Sequence, residues 1–311
     1  MPTDVAKEPN AGVAWSCVLD DTTALWDHFL VWVATLVDCA GAPPEAIVVH
    51  HVAELRHDVR QVAARLGLRT QQIPRFDRRS PHANKISQCF TDFGGAGRVV
   101  LTDVDLAFLA PPPLGRIRAP VAGKPVDFPN PPVEVLCDLF RRAGLPLPDR
   151  RLPVAFLDAA GVLDEFQTFP ANYNGGFYVI DSTILPALGS AWAHWTRWLL
   201  DAALIPTRYA VHVDQIAFCM AVHALGLDAA ALESAWNFPT HVPTPPVEAA
   251  PFVAHHHGQL EDALLLPPLR PVRHEALIAN ANAAISAFLR RHGVAPTAGD
   301  KSSSAPRAAE A

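Results

Sequence analysis

Two aspartates separated by one valine, Asp103-Val104-Asp105, close an apolar run, Arg98-Val99-Val100-Leu101-Thr102. Side chains two apart on a strand share a face, so both carboxylates would emerge together at the strand's C-terminal edge. In open α/β sheets that edge is where ligands bind. Neighbouring carboxylates repel each other, and no Lys or Arg occurs in the six residues that follow. A hard divalent cation relieves such repulsion, because it prefers oxygen ligands; the alternative is one capping Asp and one solvated Asp. A second cluster, His255-His256-His257-Gly258, follows the strand-like Pro251-Phe252-Val253-Ala254. Imidazole can complete a carboxylate site for manganese or a similar ion. Only alternate histidines of the three would share a face.

Three further groups carry candidate chemistry. In Asn172-Tyr173-Asn174-Gly175-Gly176 the paired glycines mark close approach of a ligand or of another backbone. The Asn174 amide offers both a donor and an acceptor to sugar hydroxyls, with a β-bulge as the plainer reading. Asp214-Gln215 opens a helical stretch, where an Asp also serves as a cap or favours the positive helix end. Trp236-Asn237 follows a short predicted strand and is a candidate for the acceptor side. Trp192, Trp195 and Trp198, spaced by three, read as a packed helix face rather than a sugar platform.

The elements that must position these groups alternate between strand and helix. Val13 to Leu19 has strand length and ends in Asp20-Asp21; Thr22 or Thr23 caps a helix carrying Leu25, Trp26, Phe29, Leu30 and Val33. Ala46 to His50 is a second strand, a helix runs from about Ala53 to Leu66, Gly67 stops it, and Leu68 to Ile73 is a third strand. Ser80-Pro81 opens a helix through Phe90, broken by Gly94-Gly95-Ala96-Gly97 ahead of the paired aspartates. Tyr173 to Asp181, Asp214 to Leu225, Pro251 to His255 and His274 to Arg291 read as strand, helix, strand and helix. This alternation predicts an α/β fold with a mostly parallel central sheet and helices on both faces. The stretch Pro111–Pro170 breaks the pattern with clustered prolines and two short helical patterns near Val133–Ala143 and Val154–Phe166. It reads as an insertion that could sit over a site and shape acceptor choice. The expected organisation is a flexible N-terminus at 1–12, one domain over 13–294 and a disordered tail at 295–311.

Composition narrows the function classes. Of 311 residues, 50% are hydrophobic and 18% charged, enough for a sizeable core, and the formal charge of -6 argues against a nucleic-acid binder. The five cysteines form no C-x-x-C pair, which suits reduced thiols in a cytoplasmic protein. No secretory signal is visible at the start, and Asp, His or Pro interrupts every apolar stretch before transmembrane length. A dinucleotide-binding dehydrogenase lacks its G-x-G-x-x-G here and a P-loop enzyme its G-K-[ST]. A haloacid-dehalogenase-type phosphatase also ends a strand in D-x-D, but on the first strand and with Thr or Val where Ala107 stands.

In this order the motifs resemble those of the GT-A fold nucleotide-sugar glycosyltransferases, most of all glycosyltransferase family 8 and related retaining enzymes. The resemblance spans about Val13 to Gly258. It implies that Asp103 and Asp105 bind manganese (or magnesium) and the donor diphosphate. His255 would be the third metal ligand, because Gly258 stands three residues on. It further implies that Asn174 with Gly175, and Asp214 with Gln215, face the transferred sugar and acceptor, and that Lys85 contacts the donor. Asp20 and Asp21 fall where the family holds base and ribose. The expected activity is transfer of a sugar from a nucleotide-diphosphate sugar, a UDP-sugar first, to an acceptor hydroxyl with retention of configuration. The family's Lys-Pro-Trp after the histidine is missing, and Gln259-Leu260-Glu261-Asp262 stands there instead. That loss keeps open a second reading, a non-catalytic nucleotide-sugar-binding protein of the same fold.

Overall fold

The computed structural model describes residues 12–158, 160–242, 245, 249–268 and 274–294. The expected N-terminal arm, apart from residue 12, and the expected tail from 295 lie outside the described residues. In chain order the strands are β1 (Val13–Leu19), β2 (Ile47–His51), β3 (Arg69–Gln72), β4 (Arg98–Thr102), β5 (Leu106–Phe108) and β6 (Val121–Pro125). They continue with β7 (Leu152–Leu157), β8 (Leu163–Thr168), β9 (Tyr173–Asp181), β10 (Ala229–Ala231), β11 (Phe238–Pro239) and β12 (Val253–His255). The α-helices are α1 (Thr23–Asp38), α2 (His57–Leu66), α3 (Val133–Arg142), α4 (Leu185–Asp201), α5 (Val213–Ala224) and α6 (Glu275–His292).

Seven strands form the central sheet in the order β10-β6-β9-β4-β1-β2-β3. All neighbours are parallel except β9, which runs antiparallel to both β4 and β6. Strands covered on both faces lose the apolar–polar alternation, and β1 accordingly buries nearly every residue. Alternation survives as a choice between two cores. Trp15, Cys17, Val100, Phe177 and Val179 join one cluster with Phe29, Trp32 and Phe288 from α1 and α6. Ala14, Val99, Leu101, Tyr178 and Ile180 join the other with Trp192 and Phe218 from α4 and α5. The tryptophan helix is therefore a packed face, with Trp192 fully buried and its indole N–H donating to the Asp214 carbonyl at 2.7 Å.

Several local expectations are met and others are corrected. Gly67 ends α2 in a left-handed conformation (φ 69°), its N–H closing onto the last turn. Thr22 occupies the N-cap of α1 but makes no side-chain capping bond. The segment expected as a helix after Ser80 is a run of tight 3-10 turns over Pro81–Phe90. It brings Asn84, Lys85 and Gln88 inward to bond Asp20, Asp103 and Ser16. The helical pattern placed at Val154–Phe166 is instead the antiparallel hairpin β7–β8. Val154, Phe156 and Phe166 are a two-residue period mistaken for a helical one, and the turn is built by Asp158, whose carboxylate accepts from the N–H groups of Ala160 and Val162. Residues 111–170 do more than insert: β6 is an internal strand of the central sheet, α3 packs Leu136, Leu139 and Phe140 into the second core, and the hairpin forms its own sheet. No helix among the described residues is long and apolar enough to cross a membrane.

Candidate active-site cleft

The reversal of β9 builds the site. Its pairing with β4 sets Thr102 opposite Phe177, so the N–H of Asp103 reaches the carbonyl of Gly176 at 3.0 Å. A second small sheet, β11-β12-β5, sets Leu106 opposite His255, and the N–H of His256 donates to the Asp105 carbonyl at 3.0 Å. Asp103-Val104-Asp105 is thus the link between β4 and β5 rather than the end of one strand. Val104 is buried and touches only the apolar side of the cleft, whereas both carboxylates also face its polar side. Asp103, Asp105 and His255, separated by up to 152 residues (255 − 103), each offer a ligand atom, and all three atoms lie within 4.8 Å of one another. No other such group occurs among the described residues.

The His255 ring sits against Asp105, Nε2 to Oδ1 at 3.3 Å. Burial alone would raise the Asp105 carboxyl, but the field of His255, its hydrogen bond and the neighbouring histidines hold it well below the usual carboxylate range. The glycine pair makes this arrangement possible. A Cβ on Gly176 would stand 2.7 Å from His255 Cε1 and 2.9 Å from its Nδ1; one on Gly175 would meet Lys85 Nζ at 3.0 Å. The close approach expected at these glycines is thus made by side chains of the cleft.

Lys85 bridges the site from below. Its ammonium donates to Asp103 Oδ1 at 2.8 Å and to the Gly175 carbonyl at 3.0 Å, and it stands 3.4 Å from Asp214 Oδ2. Burial works against this charge, yet Asp103 and Asp214 together raise the lysine above its ordinary range. So the charge missing from the residues after Asp105 is supplied from 18 residues upstream. Asn174 donates to Asp127 Oδ2 at 2.8 Å and accepts from the Gly176 N–H and from Asn237 Nδ2. Gln215 contacts His212 through its amide nitrogen at 3.1 Å.

Two adjoining chambers share His82, Lys85, Asp103 and Asp105 as their common wall. The first, about 290 Å³, is polar and holds Asp127, Asn174, Asp214, Gln215, His241, His255 and His257. The second, about 310 Å³, is walled by Val18, Leu25, Pro81 and Val104, with Asp20 and Asn84 as its polar edge. Asp20 is bound by Arg75 at 3.0 Å and by Asn84, while Asp21 shares Arg75 from an exposed position at the rim.

Of the expected site residues, then, Asp20, Lys85, Asp103, Asp105, Asn174, Gly175, Asp214, Gln215 and His255 converge on the chambers. Asn237 is buried behind them and reaches the site only through Asn174. Trp236 does not line the cleft; it is packed in the core against Phe177 and Phe252. Spacing alone did not reveal Asp127, which is gripped by Lys124 as well as Asn174. Burial would raise its carboxyl, but Lys124, Asn174 and His257 draw it below the usual range. Nor did it reveal the stacked imidazoles: His255 and His257 lie 3.6 Å apart at 14°, and His241 covers His257 at 3.6 Å. His256 turns the opposite way, towards His28, as alternation requires. The signal for Asp127 was its position two residues beyond β6 at the same sheet edge as Asp103; the surrounding prolines concealed it.

No family model matches the chain, and none of the curated proteins does. Among solved structures, the chain is similar to galactosyltransferase LgtC in complex with donor and acceptor sugar analogs. The TM-score is 0.52 and the identity 12%, over 92% of this chain and 98% of that one. Mouse xyloside xylosyltransferase 1 in its apo form aligns at 13% identity over 78% of this chain and 97% of that one, with a TM-score of 0.48. At such identity the likeness to LgtC shows the fold, and the chain has the GT-A glycosyltransferase fold.

Proposed function

We propose that this chain is a glycosyltransferase that moves a sugar from a nucleotide-diphosphate sugar to an acceptor hydroxyl, working as one domain over residues 13–294. One observation carries the reading. One ligand atom each of Asp103, Asp105 and His255 comes within 4.8 Å of the others, the two aspartates on the wall shared by the apolar and polar chambers and His255 in the polar one. Two hard carboxylate oxygens and one imidazole suit manganese or magnesium, and the missing side chain at Gly176 leaves the room that the His255 ring needs. A divalent ion bound there would supply Lewis-acid stabilisation of the diphosphate oxygens.

The chain's own residues supply the rest. The apolar chamber beside Asp20 and Asn84 suits a flat base, with polar groups at its edge to bond base or ribose; a UDP-sugar is the first donor to test. Lys85, bonded to Asp103, would add positive charge near the leaving group. The sugar would then extend into the polar chamber towards Asn174, Asp214 and Gln215. The bond from the anomeric carbon to the diphosphate oxygen would break with its electron pair leaving on the diphosphate, a bond to the acceptor oxygen would form, and the acceptor hydroxyl's proton would pass to the departing diphosphate oxygen. Retention of configuration is part of this reading. The carboxylates of the polar chamber are already engaged, Asp127 by Lys124 and Asn174 and Asp214 by Lys85, so neither stands free as the base that inversion needs.

The test is turnover: UDP-sugars and GDP-sugars incubated with manganese and glycoside acceptors, with release of the nucleoside diphosphate and the anomeric configuration of the product followed by NMR. Release that stops in Asp105→Ala supports transfer. Binding of the donor without release under any acceptor would instead favour the non-catalytic binder.

A further inference from the structure

A histidine that binds a metal through one ring nitrogen is ordinarily steered by the other, which donates to a carboxylate, a backbone carbonyl or a water and so fixes the ring. His255 lacks that device. Its Nε2 lies 3.3 Å from Asp105 Oδ1, while its Nδ1 is buried without a hydrogen-bond partner among the described residues. On that edge the ring meets Gly176, where a Cβ would stand 2.9 Å from Nδ1. What the ring has instead is a covered face. His257 lies on it with centroids 3.6 Å apart and planes 14° from parallel. Side chains two apart on a continuing strand stand about 7 Å apart, so this contact needs a turn. β12 ends at His255, His257 takes a left-handed backbone (φ 48°), and its Nδ1 lies 3.0 Å from the His255 carbonyl oxygen. That conformation is uncommon outside glycine, and here it folds one ring back onto the other. His241 leans on His257 in turn, with centroids 3.6 Å apart at 48°. Parallel pairing sets Pro239 opposite His255, which carries His241 to the level of His257 two residues on. Three imidazoles thus form a column from the buried His255 to the exposed His241.

We infer that His257 is a positioning residue for the metal site: it holds the plane of the His255 ring in place of the missing Nδ1 hydrogen bond, and His241 braces it. The inference rests on the reading of Asp103, Asp105 and His255 as metal ligands. Those three alone, among the described residues, bring ligand atoms within 4.8 Å of one another. His257 lines the same chamber but acts through the ring that it covers. Stacked aromatic faces add attraction to their burial. A ring held in this way swings its Nε2 away from Asp105 only by breaking the stack. The role therefore requires a flat face at position 257, and it requires no nitrogen there.

The experiment is calorimetric titration of manganese into the full chain, with thermal melting in EDTA to establish that each variant folds. His257→Ala and His257→Gly both remove the ring, and glycine suits the left-handed backbone. Losing what orients a ligand typically weakens metal affinity by about 10–100-fold, and both variants should fall in that range. His257→Phe keeps a flat face without a nitrogen and should recover most of the loss. His241→Ala removes an exposed ring, which leaves the fold intact, and should weaken manganese binding by less than His257→Ala does. Wild-type affinity in a folded His257→Ala or His257→Gly would overturn the inference. So would a folded His257→Phe that binds as weakly as His257→Ala, because the nitrogen and not the face would then matter and His257 would be a ligand itself. In both cases the wild type still binds manganese, so the positioning role alone is lost. No manganese binding by the wild type would remove the metal site and the inference with it.

Discussion

Gly176→Ala tests whether the glycine pair exists to let His255 reach the two aspartates. The added methyl would lie 2.7 Å from His255 Cε1, 2.9 Å from Nδ1 and 3.2 Å from Asn174 Oδ1. Carbon–carbon contacts settle at roughly 3.5–4.0 Å, so the ring must retreat by on the order of 1 Å. It has little room, because His257 is stacked 3.6 Å from its ring and only 5% of the residue is exposed. Overpacking of this kind costs about 1–3 kcal/mol of stability. Displacing a metal ligand by disturbing what orients it typically weakens metal affinity by about 10–100-fold, or about 1.4–2.7 kcal/mol. Calorimetric titration of manganese into the wild type and the variant reads this directly. Gly175→Ala is the comparison, since its methyl meets Lys85 Nζ at 3.0 Å and Gln215 Cγ at 3.3 Å and leaves the His255 ring untouched. The expected order of affinity is wild type, then Gly175→Ala, then Gly176→Ala. A folded Gly176→Ala that binds manganese as the wild type does would refute the argument.

Two other perturbations bear on the charge inside the fold. Lys85→Met leaves Asp214, 1% exposed, without its cation and removes the partner of Asp103. Breaking a buried pair from one side costs about 3–5 kcal/mol, so its urea midpoint should fall steeply, and recovery by Lys85→Met/Asp214→Asn would trace the loss to the orphaned carboxylate. The second concerns pH. His50 is fully buried between Ser16 and Thr91, and burial lowers its pKa to about 4. The unfolded chain takes up this proton near pH 6.5 and the folded one only near 4, so the contribution of His50 is complete above about 6.5 and is lost as pH falls towards 4. That loss amounts to about 3 kcal/mol, and His50→Gln should flatten the fall in denaturation free energy between these pH values.

Much of the cleft was legible because its residues stand at the ends of apolar runs. Asp103 and Asp105 follow β4, Asp20 follows β1, His255 closes β12 and Asp214 opens α5, so the strand or helix announced the position of each side chain. Pairings across the chain were not legible. The contact of Lys85 with both Asp103 and Asp214 depends on how the 3-10 segment packs between α4 and β1, which no local spacing encodes. The hairpin was missed because proline-rich flanks hid its alternation, and Asp127 was missed with it. Trp236 shows the opposite error. A tryptophan beside an asparagine has the composition of a sugar site, but the indole was needed against Phe177 and Phe252 in the core.

The central claim is that Asp103, Asp105 and His255 form one metal site that holds a nucleotide diphosphate. Thermal melting of the wild type and Asp105→Ala with UDP or GDP, each with manganese or EDTA, tests it most directly. Ligand at about a hundred times its Kd adds about 2.7 kcal/mol, which for a domain of this size raises Tm by several degrees. The account predicts a rise that requires nucleotide and manganese together and disappears in Asp105→Ala. A rise that survives EDTA or the substitution, or none with either nucleotide in manganese, would contradict it.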